Sequence, residues 1–201
     1  MKLFYVPGVC SLSPHIALYE SGLPFTADRV DRATKISKGG VDYKALNPKG
    51  YVPALQLDDG QLLTEGTAIV QYIADQVPAK KLAPANGTLE RYRLQEWLNY
   101  IATEIHKGTS PLFNPKFPED LRKAAKDRLV DRYAYVNKQL AGKTFLMGDT
   151  FTVADCYLYT IWTWLPRVNV ELTDMPNLTS YMQRLGERPA FKAALEAEKA
   201  A

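Results

Sequence analysis

The spacing of hydrophobic and polar residues divides the chain into a mixed α/β segment and a helical segment. Over the first eighty residues, short β-rich runs alternate with helical stretches that are separated by Gly, Pro and Asp. The predicted strands are 2–6, 25–30, 54–57 and 62–63, and the predicted helices are 13–22, 43–46 and 66–77. The pattern therefore predicts a βαβ unit followed by a ββα unit.

The strand pattern stops after Pro78, and the apolar spacing is helical from there on. The predicted helices are 89–113, 118–140, 153–165 and 178–186, with a short last helix after Pro189. The stretch between the two patterns carries Pro78 and Pro84, which is typical of a linker. We predict a first domain over residues 1–77, a linker over 78–86 and an all-helical domain over 87–201.

Composition and charge exclude several classes of protein. Hydrophobic residues make up 46% and charged residues 23% of the chain, as in an ordinary globular protein rather than a disordered one. A net charge of +3 provides no strong phosphate-binding stripe, so nucleic acid is not an expected partner. The densest apolar stretch, 156–168, is too short to cross a membrane. With no signal-peptide pattern and only two cysteines, the protein is expected in a reducing cytoplasm.

Cys10 is the first candidate for chemistry. It lies between the first predicted strand and the first predicted helix. A helix N-terminus stabilises a thiolate and lowers the pKa of a cysteine below its ordinary value of about 8.5. The position favours a nucleophile or a redox thiol, and the alternative is a small residue that fills a turn. Cys156 lies in an apolar helix and is interpreted as a core residue.

Two positions in the first domain could bind a peptide-like ligand. Val52-Pro53 opens the third strand, and a cis bond there would turn the N–H and C=O of Val52 outward; the alternative is an ordinary proline at a strand start. Glu65 opens a helix, so its carboxylate could bind an ammonium group while the free N–H groups at Gly66 and beyond bind a carboxylate. The alternative is simple capping of the helix by Thr64.

The remaining candidates are weaker on spacing alone. Asn99, Thr103 and His106 fall at i, i+4 and i+7, hence on one face of the first helix of the second domain, which could also be a plain solvated face. Lys35 lies in a loop, where a lysine is by default exposed. His15 and His106 lie on different helices without a cluster of cysteine or acidic side chains, so no metal site is expected.

The order and spacing of these pieces resemble the cytosolic glutathione transferases. The segments that carry this resemblance are the strand and turn before Cys10, Val52-Pro53, 65–69 and the capping-box segment 151–155. Within that family, Cys10 together with the segment 99–107 is similar to the bacterial beta class. The resemblance runs from Met1 to about Phe191. It implies a thioredoxin-like α/β N-terminal domain, an all-α C-terminal domain and a homodimer.

The resemblance also implies one pocket for glutathione, as a co-substrate and without a metal. On that basis Cys10 faces the glutathione sulfur and can form a mixed disulfide with it, and His106 is the second catalytic residue. Val52 pairs with the cysteinyl backbone, while Glu65 and Gly66 hold the γ-glutamyl head group. The other implied glutathione contacts are Lys35 at the glycine carboxylate, Asn99, Thr103, Ile105 and His106, and Glu104 from the neighbouring subunit.

Several residues compete for activation of the sulfur. Tyr5 and Ser11 occupy positions that resemble the sulfur-activating Tyr and Ser of other classes, and Cys10 ranks first because its thiol can also do redox chemistry. N–H dipoles with a cationic His106 or a lysine are expected to lower the pKa of the glutathione thiol. Gly66 stands where many relatives have Ser, which leaves the head-group carboxylate to backbone N–H groups.

The implied activity is conjugation of the glutathione thiolate to a small hydrophobic electrophile. Phe113 and Trp164 are candidates for the wall of an apolar hollow between the domains, although aromatic residues there could equally be core. One alternative is a glutathione-dependent oxidoreductase that uses the single thiol of Cys10. Another is a non-catalytic carrier of apolar ligands. Retention on immobilised glutathione separates an enzyme from a pure interaction module, which should pass through.

Overall fold

The computed structural model describes residues 1–200, and these residues form two compact units. The first unit comprises Met1–Leu82 together with the segment that begins at Glu187, and the second comprises Ala83–Gly186. The first is a mixed α/β structure and the second is helical. The predicted fold class, an α/β N-terminal part with an all-α C-terminal part, is confirmed.

A four-stranded sheet with the strand order β2-β1-β3-β4 is the framework of the first unit, within the described residues 1–200. Strand β1 is parallel to β2 and antiparallel to β3, and β4 is antiparallel to β3. The elements are β1 (Lys2–Tyr5), α1 (Leu12–Ser21), β2 (Thr26–Arg29), α2 (Tyr43–Leu46), β3 (Ala54–Gln56), β4 (Leu62–Thr64), α3 (Gly66–Asp75) and a 3-10 turn at Pro78–Lys80. Each strand and α-helix agrees with a predicted element to within a few residues, and the 3-10 turn lies at the start of the predicted linker.

The alternation of side chains along the strands gives the sheet two buried faces. Leu3 and Leu55, which are paired neighbours on β1 and β3, are fully buried on one face. Phe4 and Ala54 point to the other face and form a cluster with Tyr43 of α2. Helices α1 and α3 pack against each other. Because β1 and β3 are apolar on both faces, they form the centre of this unit.

The second unit consists of helices. They are α4 (Leu89–Tyr100), a π-helical segment (Ile101–His106), α5 (Lys107–Thr109), a 3-10 turn (Ser110–Phe113), α6 (Glu119–Gln139), α7 (Val153–Trp162), a 3-10 turn (Leu165–Val168) and α8 (Pro176–Gly186). Helix α7 is buried from Val153 to Ile161 and is the central helix of the unit. Among residues 1–200, no helix combines the length and the hydropathy that a membrane crossing requires.

The single helix predicted over 89–113 is divided into four segments in the structure. Its middle, Ile101–His106, is a π-helix, and it ends in a 3-10 turn at Ser110–Phe113. Pro111 cannot donate a backbone hydrogen bond, which explains why the α-helix does not continue through that turn. From Ile101 onward, α-helical spacing therefore no longer gives the direction of a side chain.

The last helix, α9 (Pro189–Lys199), belongs to the first unit rather than to the helical one. Arg188 forms a bidentate pair with Glu20 of α1, with nitrogen to oxygen distances of 2.6 and 2.9 Å. Phe191 and Ala194 are fully buried. The predicted domain 87–201 placed this helix with the others, because periodicity identifies a helix without identifying the surface that covers it.

A buried carboxylate fixes the start of α7. Asp155 is fully buried and accepts hydrogen bonds from the backbone N–H groups of Thr152 at 2.7 Å and Leu146 at 3.0 Å. The hydroxyl of Tyr181 in α8 donates to the same carboxylate at 2.6 Å. Thr152 and Asp155 form a capping box, as the sequence predicts. The carboxylate therefore joins the start of α7 to α8 and to the preceding loop.

We predict that Asp155→Ala lowers the free energy of unfolding by about 3–5 kcal/mol, because several buried donors lose their acceptor. The measurement is urea unfolding followed by circular dichroism. The control is Asp149→Ala, since Asp149 is exposed and should change stability by less than about 0.5 kcal/mol. Equal stability of the two variants would contradict the structural role assigned to Asp155.

Candidate functional site

Cys10 lies in the turn between β1 and α1, directly before Ser11 at the N-cap position of the helix. Its side chain is half-buried, and Sγ lies 3.4 Å from the carbonyl oxygen of Val52. A sulfur at this distance from a carbonyl oxygen fits a thiol that donates its proton. The structure thus places Cys10 at the helix N-terminus, as predicted, and brings it next to Val52.

Glu198 of α9 anchors the turn that carries Cys10. Its carboxylate is buried and accepts a hydrogen bond from the backbone N–H of Gly8 at 2.7 Å. The other carboxylate oxygen lies 3.1 Å from Nδ1 of His15, which donates because an ionised carboxylate only accepts. The sequence pattern alone does not mark Glu198 as a functional residue. Its spacing places it on the same buried face of α9 as Phe191 and Ala194, and a buried acid requires hydrogen-bond partners.

Tyr5 and Ser11, the competing candidates for sulfur activation, are both buried. The Ser11 hydroxyl donates to the carbonyl of Val6 at 3.0 Å and accepts from the N–H of Val6 at 3.1 Å, so it closes the turn. Burial, and secondarily the negative charge of Glu198, raises the pKa of Tyr5 above its ordinary value. Of the three candidates, only the Cys10 side chain is not fully buried.

The pairing of β3 with β4 brings the two predicted peptide-binding positions together. Ala54 is paired with Thr64, so Pro53 and Glu65 are neighbours at the ends of their strands. The Val52-Pro53 peptide bond is cis. A Cβ atom placed on Gly66 would lie 3.7 Å from Cγ of Pro53, an ordinary contact, so a serine would also fit there. Pro53 therefore lies against the first turn of α3.

Glu65 lies at the N-cap position of α3 with φ 68° and ψ 115°, a conformation that non-glycine residues seldom adopt. Its side chain is 69% exposed and pairs with Nζ of Lys49 at 2.7 Å. The hydroxyl of Thr64 also accepts from Lys49, at 3.0 Å, and does not cap α3. The first N–H groups of α3, at Gly66 and Thr67, have no partner within the helix. An acid and free N–H donors are thus adjacent.

Lys35 is half-buried, although its position in a loop predicts an exposed charge. Its Nζ donates to the carbonyl oxygen of Gly50 at 3.3 Å, two residues before Val52. Its backbone has φ 60° and is held by a hydrogen bond from the N–H of Lys35 to the carbonyl of Asp31 at 3.0 Å. The first unit therefore brings an ammonium group, the Cys10 thiol and the N-terminus of α3 to one end of the sheet.

The second-unit candidates have different surroundings. Asn99 and Thr103 are exposed, and the Thr103 hydroxyl donates to the carbonyl of Asn99 at 3.0 Å. Ile105 is fully buried in the core of the unit. Because Thr103 and His106 lie in the π-helical segment, the i, i+4, i+7 spacing does not by itself show that the three side chains share a face. Their roles toward glutathione stay predictions.

Glu104 is paired within its own chain. Its carboxylate lies 2.7 Å from Nε of Arg132 and 3.0 Å from a terminal nitrogen of Arg128, both on α6. These two hydrogen bonds hold the pKa of Glu104 below its ordinary value. The role predicted for Glu104 toward glutathione of a neighbouring subunit stays a prediction. In that role its carboxylate would bind glutathione while it also binds Arg128 and Arg132.

His106 lies in an aromatic cluster of the second unit. Its Nδ1 is 2.7 Å from the hydroxyl oxygen of Tyr157, and its ring meets the indole of Trp164 edge-on at 5.0 Å between centroids. Trp164 in turn meets Phe113 edge-on at 5.5 Å. Phe113 and Trp164 are therefore neighbours, and Tyr157 is a partner of His106 that the sequence pattern does not reveal.

The charge of His106 differs from the sequence expectation. Burial, with a smaller contribution from the nearby Lys107, lowers the pKa of His106 to about 4. At neutral pH the imidazole is uncharged, so of the two expected cations, His106 or a lysine, His106 does not supply the charge. The physical reason is desolvation by the aromatic cluster, which the sequence pattern does not reveal. A neutral imidazole remains a hydrogen-bond partner through both ring nitrogens, one as donor and one as acceptor.

Among residues 1–200, no three His, Cys, Asp or Glu side chains are grouped in a way that could hold a metal ion. The groups gathered in the first unit are instead those that would bind a small zwitterionic peptide: an exposed acid, free helix N–H donors, a lysine and a thiol.

Two family models match the sequence. The model described as the N-terminal domain of glutathione S-transferase matches residues 9–76, and the model of the C-terminal domain matches residues 100–189. A curated relative, the glutathione S-transferase GstA of Escherichia coli O157:H7, is 49% identical over 198 residues, which cover 98% of each chain.

Solved structures give the same result. The chain is similar to a sphingomonad glutathione S-transferase complexed with glutathione, with a TM-score of 0.96, 46% identity and full coverage of both chains. It is also similar to the bacterial beta class glutathione S-transferase of Sphingomonas chungbukensis, with a TM-score of 0.94, 45% identity and full coverage of both chains.

The lowered pKa of His106 predicts a specific titration. We expect the ring protons of His106 in an NMR spectrum to titrate with a midpoint near 4, because burial disfavours the charged imidazole. His106→Asn identifies the resonance by its loss, which separates it from that of His15. Since the unfolded chain binds the proton more readily, stability should fall as pH drops from about 6.5 towards 4. A midpoint near 6.5 would contradict the prediction.

Proposed function

The chain belongs to the glutathione S-transferase family, and we propose that it conjugates the thiolate of glutathione to small hydrophobic electrophiles. Glutathione is the co-substrate of this reaction, and the enzyme is a transferase with a thioredoxin-like N-terminal unit. The observation that carries the proposal is the group of a thiol, the Val52 backbone next to it and a helix N-terminus at one end of the sheet of the first unit.

The centre of the proposed glutathione site is the pair of Cys10 and Val52. The carbonyl of Val52 lies 3.4 Å from the Cys10 sulfur. A cysteinyl residue that pairs with the backbone of Val52 would carry its own sulfur towards Cys10. The positive end of the α1 helix dipole would then stabilise the glutathione thiolate. Supporting this, Cys10 is half-buried whereas Tyr5 and Ser11 are buried.

The two ends of the tripeptide find complementary charges on either side of this pair. Glu65 supplies a carboxylate for the α-ammonium group of the γ-glutamyl residue, and the N–H groups at Gly66 and Thr67 supply donors for its carboxylate. Lys35, already held near Val52 through Gly50, supplies an ammonium for the glycine carboxylate. The proposed order across this end of the sheet is thus head group, cysteinyl residue and glycine.

The reaction follows from these positions. The glutathione thiol loses its proton to solvent, and the thiolate attacks the electrophilic carbon to form the new carbon–sulfur bond. With a halide leaving group, the carbon–halogen bond breaks and halide departs with the electron pair. His106 is neutral at pH 7, so it would act as a hydrogen-bond donor or acceptor rather than as a positive charge.

The second unit supplies the remaining proposed contacts. We retain Asn99, Thr103, Glu104, Ile105 and His106 as proposed glutathione contacts, on the support of the beta class resemblance. The neighbouring rings of Phe113 and Trp164 are proposed to contact the electrophile, because aromatic faces bind apolar, planar molecules.

Thiol-disulfide exchange is a second candidate activity, and it is favoured by the accessible Cys10 thiol. Cys156 is fully buried, so Cys10 has no second accessible cysteine in the sequence. Only a single-thiol route through a mixed disulfide with glutathione is therefore proposed. Neither cysteine forms a disulfide, which is typical of a reducing compartment, and we propose the cytoplasm as the location.

We further propose a homodimer. The second unit has an open groove of about 840 Å³ between α4 and α6. The rings of Trp97, Tyr100 and Tyr135 contact one another along it, and Tyr135 is 47% exposed. Charged residues of both signs surround these rings. An exposed aromatic surface with a polar rim is typical of a protein interface, and a second copy of the chain is the proposed occupant.

Light scattering at micromolar concentration tests the homodimer. The native protein should give twice the chain mass of 22.6 kDa. Tyr135→Lys should shift the mass towards one chain, because it places a charge in the aromatic groove. Leu121→Lys, which changes an exposed residue of α6 outside the groove, is the matched control. A monomeric native protein would contradict the dimer.

Conjugation of glutathione to an activated aryl chloride, followed by absorbance, tests the proposed activity. We expect turnover by the native protein and a kcat about tenfold lower for Cys10→Ala, since one hydrogen-bonding neighbour of the sulfur is lost. Cys156→Ala, in the core, is the control for loss of a thiol. Full activity of Cys10→Ala would show that other groups activate the glutathione thiol. An inactive native protein would contradict the proposed conjugation activity.

A further inference from the structure

The turn from Asn47 to Tyr51, directly before the cis-proline, is held by buried groups. The side chain of Asn47 is 2% exposed and donates to the carbonyl of Tyr51 at 2.9 Å. The hydroxyl of Tyr43 donates to the same carbonyl at 2.7 Å, and the N–H of Gly50 donates to the carbonyl of Asn47 at 2.8 Å. These hydrogen bonds therefore fix the backbone of the turn that carries Lys49 and Gly50.

Both ends of the proposed glutathione site are tied to this turn. At one end, Nζ of Lys35 donates to the carbonyl of Gly50 at 3.3 Å. At the other end, Nζ of Lys49 donates to Glu65 at 2.7 Å and to the hydroxyl of Thr64 at 3.0 Å. Lys49 is not among the residues assigned to glutathione above. It nevertheless holds the carboxylate on which the head-group assignment depends.

We propose that Lys49 is a positioning residue for the γ-glutamyl head group and acts through Glu65. The inference rests on the proposed function, in particular on Glu65 as the partner of the α-ammonium group. The Glu65 side chain is 69% exposed and would lose rotamer freedom when it binds a ligand. Lys49, supported by Thr64, fixes that side chain beforehand, so less conformational entropy is lost on binding.

The geometry leaves room for the ligand on the same carboxylate. A carboxylate has about four acceptor positions, and Lys49 is hydrogen-bonded to one oxygen of Glu65, at 2.7 Å. The ammonium group of a ligand can thus share the carboxylate with Lys49 rather than displace it.

The charges of Lys49, Glu65 and glutathione also favour a role for Lys49 in glutathione binding. Glutathione with a protonated thiol carries one ammonium and two carboxylate groups, so it is a net anion. Lys49 neutralises Glu65, which would otherwise repel the head-group carboxylate. The opposing effect, repulsion between Lys49 and the ligand ammonium, is weakened by water because Lys49 is 55% exposed. Loss of Lys49 should therefore weaken glutathione binding.

The test compares steady-state conjugation by Lys49→Met, Lys49→Arg and the native protein. We expect Lys49→Met to raise the KM for glutathione about three- to fivefold, in the range of an exposed charge pair, with kcat and the KM for the electrophile unchanged. Lys49→Arg should restore the native KM. The matched control is Lys44→Met, which removes a charge from an exposed lysine of α2 and should change KM less than about twofold. Thermal melts verify that all variants are folded.

Glu65→Gln separates failure of the inference from failure of the proposed function. If Glu65→Gln leaves the KM for glutathione unchanged, the head-group assignment itself is wrong. If Glu65→Gln raises KM but Lys49→Met leaves it unchanged or lowers it, the function stands and the role of Lys49 is overturned. In the Glu65→Gln background, Lys49→Met should have no further effect. An undiminished effect there would show that Lys49 does not act through Glu65.

Discussion

The buried carboxylate of Glu198 connects the end of the chain to the turn on which the chemistry depends. It accepts from the backbone N–H of Gly8 and from His15, so the turn before Cys10 is fixed by a helix about 190 residues later in the sequence. A buried acid is costly unless its oxygens are hydrogen-bonded, and here both oxygens have partners. The position of the Cys10 thiol therefore depends on the docking of α9.

The proposed glutathione site is built by a second constraint, the antiparallel register of β3 and β4. Because Ala54 pairs with Thr64, the cis-proline and the start of α3 come to the same end of the sheet. The backbone of Val52, next to the Cys10 thiol, then lies beside the first N–H groups of α3, and Lys35 is held near Gly50. A thiol peptide matches this set because it offers a backbone to pair with and charges at both ends.

His106 and Glu65 illustrate how surroundings change the chemistry of a side chain. The aromatic cluster around His106 removes water and lowers its pKa to about 4, so it is a neutral hydrogen-bonding group at physiological pH. Glu65, in contrast, stays exposed to solvent, and its negative charge is balanced by the ammonium group of Lys49. The acid expected to bind a ligand ammonium thus has a countercharge before any ligand arrives, which makes Lys49 part of the same electrostatic arrangement.

The sequence by itself determined most of the elements and the two-part fold class, because hydrophobic periodicity, turn residues and capping motifs are local properties. The order and spacing of the segments around Cys10, Val52-Pro53, 65–69 and 151–155 gave the resemblance to the family. It also identified Cys10, Val52-Pro53 and Glu65 as positions of interest from their places at strand and helix ends. Only the tertiary structure decided that α9 docks on the first unit, that Glu198 anchors the Cys10 turn, and that His106 is uncharged. These features depend on contacts between distant segments and on desolvation, neither of which is encoded in the spacing of neighbouring residues.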